Sequence, residues 1–171
     1  NSLYSMPFSG SYAGLCTNFV PANAAAGVEY YLFEFPMPND SRPSTGILAK
    51  PEGADSASCG LICTFDGYGF GPSALPNAAN VLKGNIVMIV ARHGEYPLAE
   101  QAYYDALQAG EMKSFCFRNN DLAVQDTDFY KMIMRDLRAL QYAKSLPIWD
   151  GEHISLSGGS MGGYRTIAAT A

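Results

Sequence analysis

Two short apolar runs constrain this chain most: Gly60 to Phe65 (GLICTF) and Asn85 to Ala91 (NIVMIVA). Strands this continuously apolar belong inside a sheet covered on both faces, the usual setting of parallel β-structure. Parallel neighbours need a crossover connection, and Pro72 to Lys83, between the two runs, reads as a crossover helix. Upstream, Val28 to Phe35 (VEYYLFEF) is rich in β-formers, Pro36 to Ser44 is a turn cluster, and Thr45 to Lys50 returns as a second strand. An antiparallel pair is expected there.

Downstream, Pro97 to Ala109 reads as a helix with Pro97 in its first turn. Asp126 to Leu146 has the clearest helical period. Phe129, Ile133, Leu137 and Leu140 form one apolar stripe, Asp126 or Thr127 can cap the start, and Pro147 stops it. His153 to Ser157 then makes a short strand, followed by a helix from Met161.

This order predicts an α/β layer fold, a mostly parallel sheet of about five strands flanked by helices. The domain is expected over residues 28–171, and Asn1 to Gly27, which shows no sustained period, as a lead-in segment. With 48% hydrophobic and 16% charged residues among 171, the composition suits a globular domain. A net charge of −5 without a Lys/Arg cluster argues against a nucleic-acid partner. No run is long enough for a transmembrane helix, so no membrane partner is expected. Cys16, Cys59, Cys63 and Cys116 lack zinc-site spacing, and only two histidines accompany them. No metal and no cofactor are expected, and Cys59 and Cys63 read as buried thiols. Nothing in the composition fixes the compartment or the oligomeric state.

Ligands of such sheets bind beyond the carboxyl ends of the strands. Two glycine-rich stretches fall there: Asp66 to Gly71 (DGYGFG) and Gly158 to Gly163 (GGSMGG). The second fits G-x-S-x-G over Gly158 to Gly162. With 14 Ser and 17 Gly, chance alone gives about 0.14 such matches, so context must carry the assignment. The context is a strand before and a helix after, the setting in which a strained turn lifts a serine hydroxyl above the sheet. Gly158 and Gly162 would let strand and helix approach closely. A passive serine in a glycine-rich turn is the plainer alternative. A phosphate cradle fits less well, because Ser160 breaks G-x-G-x-x-G and no G-K-[ST] follows.

Counted from Val28, Ser160 follows the fifth strand and DGYG the third, as the nucleophile and one oxyanion loop do in α/β-hydrolases. The backbone N–H groups of Met161 and Tyr68 are then the candidate oxyanion donors. At this level the sequence resembles the α/β-hydrolases, and more closely the acetyl xylan esterase/cephalosporin C deacetylase family. The resemblance runs from about Val28 to Ala171. It is carried by GLICTFDGYG, by DFYKMIMRDLRALQYAKSLP, and by WDGEHISLSGGSMGGYRTIAATA. It implies a serine esterase acting on small acetyl-type esters, those of carbohydrates among them, with a small-molecule ester as its partner. Asp66 stands where the family usually has His, and Arg92-His93-Gly94-Glu95 where it typically has R-G-Q-G. The elbow also resembles that of prolyl-oligopeptidase-type peptidases, the enzymatic alternative; a hydrolase-fold binding module without catalysis is the non-enzymatic one.

A serine needs a base, and the base an orienting carboxylate; in this fold both follow the serine in the chain. None of the 11 residues after Ser160 is Asp, Glu or His. His153 begins the strand that leads to the elbow, at the wrong edge of the sheet. His93 lies at the correct edge and reads as a loop histidine that shapes the site. The acid and base are therefore expected beyond residue 171, and residues 1–171 are expected to be inactive alone.

Overall fold

The computed structural model describes residue 12 and residues 14–115 and 122–170. Cys116 lies outside the described residues. Six described strands form one sheet: β1 (Cys16–Phe19), β2 (Val28–Met37), β3 (Asp40–Pro51), β4 (Cys59–Phe65), β5 (Asn85–Val90) and β6 (Trp149–Gly158). Their spatial order is β1-β2-β3-β5-β4-β6. The β1–β2, β2–β3 and β3–β5 pairings are antiparallel, while β4 pairs in parallel with both β5 and β6. The expected parallel character thus holds only for the β5-β4-β6 part. The rest is a meander, because the turn between β2 and β3 is too short for a crossover. β1 falls inside the stretch read from sequence as a lead-in; four residues are too few to show a period.

Among the described residues, four α-helices connect and follow the strands: α1 (Ala78–Leu82), α2 (Gln101–Ala109), α3 (Asp128–Ser145) and α4 (Met161–Thr170). α1 is shorter than the sequence suggests, since Pro72 and Pro76 keep the lead-in irregular and the Asn77 side chain caps the helix by accepting from the Asn80 N–H. α2 starts four residues after Pro97. Thr127 caps α3, its hydroxyl accepting from the Tyr130 N–H at 3.3 Å.

From β4 the chain steps one way to β5, then the other way, past β4, to β6. Right-handed crossovers in opposite directions put their helices on opposite faces of the sheet. Accordingly, Val81 of α1 packs on Tyr30, Ala49 and Val87 on one face. Ala139, Leu140 and Ala143 of α3 pack on Phe33, Leu61, Cys63, Phe65 and Met88 on the other. β5 is buried on both faces as its sequence predicts, whereas β4 buries Cys59, Leu61, Cys63 and Phe65 fully and leaves its alternate residues half-buried. Each such large apolar side chain contributes about 1.5–3 kcal/mol. Cys59 and Cys63 are free thiols within this core, and burial pushes the Cys63 thiol up. The loops after β4 and β6 diverge to opposite faces, which opens a crevice between their carboxyl ends.

Candidate active site

Ser160 sits between the last residue of β6 and the first of α4. Its φ is +53°; among the described non-glycine residues only Ser114 shares a positive value. A left-handed conformation in an L-residue costs about 1–3 kcal/mol and persists only when its surroundings impose it. The surroundings are identifiable. A Cβ on Gly158 would stand 2.5 Å from the carbonyl carbon and oxygen of Gly162 and 2.8 Å from the Phe65 oxygen. A Cβ on Gly162 would collide with that same Phe65 oxygen. β6, α4 and the end of β4 therefore meet backbone to backbone around Gly158 and Gly162. The Ser160 carbonyl accepts from the Tyr164 N–H at 3.2 Å, which starts the helix at once.

The DGYGFG loop leaves β4 beside this elbow, and a Cβ on Gly67 would lie 3.3 Å from the Gly159 oxygen. Ser160, Met161 and Tyr68 line one open depression of about 670 Å³, with Phe129 of α3 and Tyr164 of α4 as its aromatic walls. Neither the Tyr68 nor the Met161 N–H donates to another described residue. The structure thus brings together Ser160, Tyr68 and Met161, with Gly158 and Gly162 beneath them.

The two histidines are elsewhere. His93 is fully enclosed, its ring 5.0 Å from that of Phe70 and 4.1 Å from that of Phe115. Burial, reinforced by Arg135, Arg92, Arg165 and Arg42, pushes its pKa down to about 2, so the ring is neutral and unavailable to Ser160. His153 lies on β6, seven residues before Ser160. Its Nδ1 is 2.8 Å from Asp150, whose carboxylate raises the imidazole pKa. Among the described residues, no group of three or more His, Cys, Asp or Glu is arranged to hold a metal ion.

A polar frame under the site escaped the sequence reading. Arg165, fully buried, donates to both Asp136 oxygens at 2.9 and 2.5 Å and to the carbonyls of Asp66, Val90 and Ala91 at 3.0–3.2 Å. Its guanidinium also lies 5.1 Å from the Phe65 ring centroid. Arg92 donates to the carbonyls of Gly67 at 2.6 Å and Gly71 at 3.1 Å. Buried Glu95 braces that corner, accepting from the N–H groups of His93 at 2.6 Å and Arg92 at 3.3 Å. A signal was present. Asp136 falls three residues after Ile133 and four before Leu140, inside the apolar stripe of α3, where a lone acid demands a buried partner.

The chain's sequence matches the family described as Acetyl xylan esterase (AXE1) over residues 19–171. The chain belongs to this family. The acetyl xylan esterase from Paenibacillus sp. R4 superposes with a TM-score of 0.68 at 18% identity, covering 90% of this chain and 48% of that one. Acetyl Xylan Esterase 1 from Thermoanaerobacterium sp. JW/SL YS485 gives 0.67 at 13% identity, covering 90% and 47%. Methylesterase BT1017 gives 0.61 at 19%, covering 91% and 32%. These likenesses establish the α/β-hydrolase fold, and the chain spans about half the length of the two acetyl xylan esterase structures. No curated protein matches the chain by sequence.

Proposed function

We propose that the protein is a serine-type carboxylic ester hydrolase that cleaves small acetyl-type esters, including those of carbohydrates, through an acyl-Ser160 intermediate. The observation that carries this reading is the left-handed Ser160, exposed at a strand-to-helix elbow in a chain of the acetyl xylan esterase family. Ser160 Oγ attacks the ester carbonyl, and the N–H groups of Met161 and Tyr68 receive the oxyanion. Collapse of the tetrahedral species expels the alcohol, and water then releases the acid. Phe129 and Tyr164 line the same depression as Ser160 and supply apolar surface for the ester.

The attack needs a base that takes the Ser160 proton. His93 is enclosed and His153 stands far up β6, so we assign the base and its carboxylate to the protein beyond residue 171. A match to about half of each esterase structure supports that assignment.

The test is labelling of the full-length protein with a fluorophosphonate, followed by mass spectrometry. The label is expected on Ser160 and absent from Ser160→Ala. In the same preparation, p-nitrophenyl acetate and acetylated sugars should be cleaved far faster than prolyl peptides, and residues 1–171 alone should not turn over. A label elsewhere overturns the nucleophile, and a preference for peptides overturns the substrate class.

A further inference from the structure

The oxyanion loop contains three glycines in six residues, Gly67, Gly69 and Gly71. Such a segment has unusual backbone freedom, yet an oxyanion donor is useful only when it points at one place. We infer that Arg92 is a positioning residue that sets the direction of the Tyr68 N–H, an inference that rests on the ester-hydrolase reading. The Gly67 carbonyl and the Tyr68 N–H belong to one planar trans peptide unit, so they point in opposite directions. Arg92 Nε holds that carbonyl at 2.6 Å, and so aims the N–H the other way.

Four further contacts oppose a turning-over of the peptide. Arg92 Nη1 holds the Gly71 carbonyl at 3.1 Å, so the two grips bracket Tyr68 along the chain. Arg165 Nη1 holds the preceding carbonyl, that of Asp66, at 3.0 Å. The Asp66 carboxylate, 3.6 Å from Arg92 Nη2, also accepts from the Ser73 hydroxyl at 2.9 Å. Arg92 is itself held from behind, because Glu95 accepts from two main-chain N–H groups of its turn and lies 3.6 Å from Nη1. A lysine at this position offers a single charged point and cannot grip both carbonyls with a planar fork. Arg92 touches no reacting atom; it acts through the peptide it orients.

The experiment compares full-length wild type with Arg92→Ala and Arg92→Lys by ester kinetics and by relaxation of 15N-tyrosine-labelled protein. In Arg92→Ala, kcat should fall about 100-fold with KM unchanged, as for a lost transition-state donor. The order parameter of the Tyr68 amide should drop from about 0.85 to below about 0.6, with other tyrosine amides unaffected. Arg92→Lys should fall between, and it carries the test if the alanine variant does not fold. Wild-type kcat in both variants, or an unchanged Tyr68 amide, overturns the inference. So does a joint loss of kcat, KM and thermal stability, which would mark a merely structural role. If wild type itself cleaves no ester, the ester-hydrolase reading fails, and the Tyr68 amide alone decides the orientation.

Discussion

Asp136→Ala tests the polar frame beneath the site. The substitution removes a carboxylate with no solvent exposure and leaves the Arg165 guanidinium, equally enclosed, without the carboxylate it is hydrogen-bonded to. Two contacts at 2.5 and 2.9 Å are lost, while the carbonyls of Asp66, Val90 and Ala91 still accept. Breaking a buried pair from one side costs about 3–5 kcal/mol, and the three surviving carbonyl bonds put the expected loss at the low end, about 3 kcal/mol. In a chain of this size each 1 kcal/mol moves Tm by about 2–4 °C, so Tm should drop by about 6–12 °C. Asp136→Asn, which keeps the shape and one acceptor, should lose less. The double variant Asp136→Ala/Arg165→Met should recover part of the loss, because no charge is then stranded. Urea and thermal unfolding of the four proteins give the numbers. A loss below about 1 kcal/mol in Asp136→Ala, typical of an exposed pair, would refute the argument, above all if the double variant were no better.

Two further outcomes follow from geometry and charge. Gly158→Ala should destabilise by about 3 kcal/mol, since its Cβ meets only backbone. Gly159→Ala, which meets nothing within 4 Å, should stay within about 1 kcal/mol of wild type; equal losses in a chemical unfolding series would discard the packing account of the elbow. The second outcome concerns acid. Between pH 6.5 and about 2 the unfolded chain holds a proton on His93 that the native chain refuses, so stability falls as pH drops. The slope reaches about 1.4 kcal/mol per pH interval, or about 2.7 kcal/mol lost by pH 4.5. Unfolding free energies of wild type and His93→Phe at pH 7 and 4.5 should differ by that amount; parallel curves would contradict it.

The sequence carried those parts of the fold that rest on local pattern. GLICTF and NIVMIVA became β4 and β5, the stripe through Ile133 and Leu140 became α3, and Gly158 and Gly162 lie where β6, α4 and the end of β4 approach backbone to backbone. The antiparallel share of the sheet was less legible, because pairing direction is a long-range property and β1 is too short to show a period. The sequence marks Arg92 and Glu95 only as part of a family-motif position, and nothing in it joins them with Asp136 and Arg165 into one frame. Its bonds run between charged side chains and main-chain carbonyls, and a carbonyl looks the same in every residue type. The lone acid in the α3 stripe was the one clue.

The Arg165 contacts also have a direction in time. Asp66, Val90, Ala91 and Asp136 precede Arg165 by 99, 75, 74 and 29 residues, so a ribosome delivers every acceptor before the cation they share. At about 5–20 residues per second, Asp136 emerges about 1.5–6 s ahead of its partner. During that interval the carboxylate that Arg165 grips in the folded core lacks that bidentate partner. Vectorial synthesis thus leaves the seam between α3 and the sheet unsealed until the elbow itself has been made.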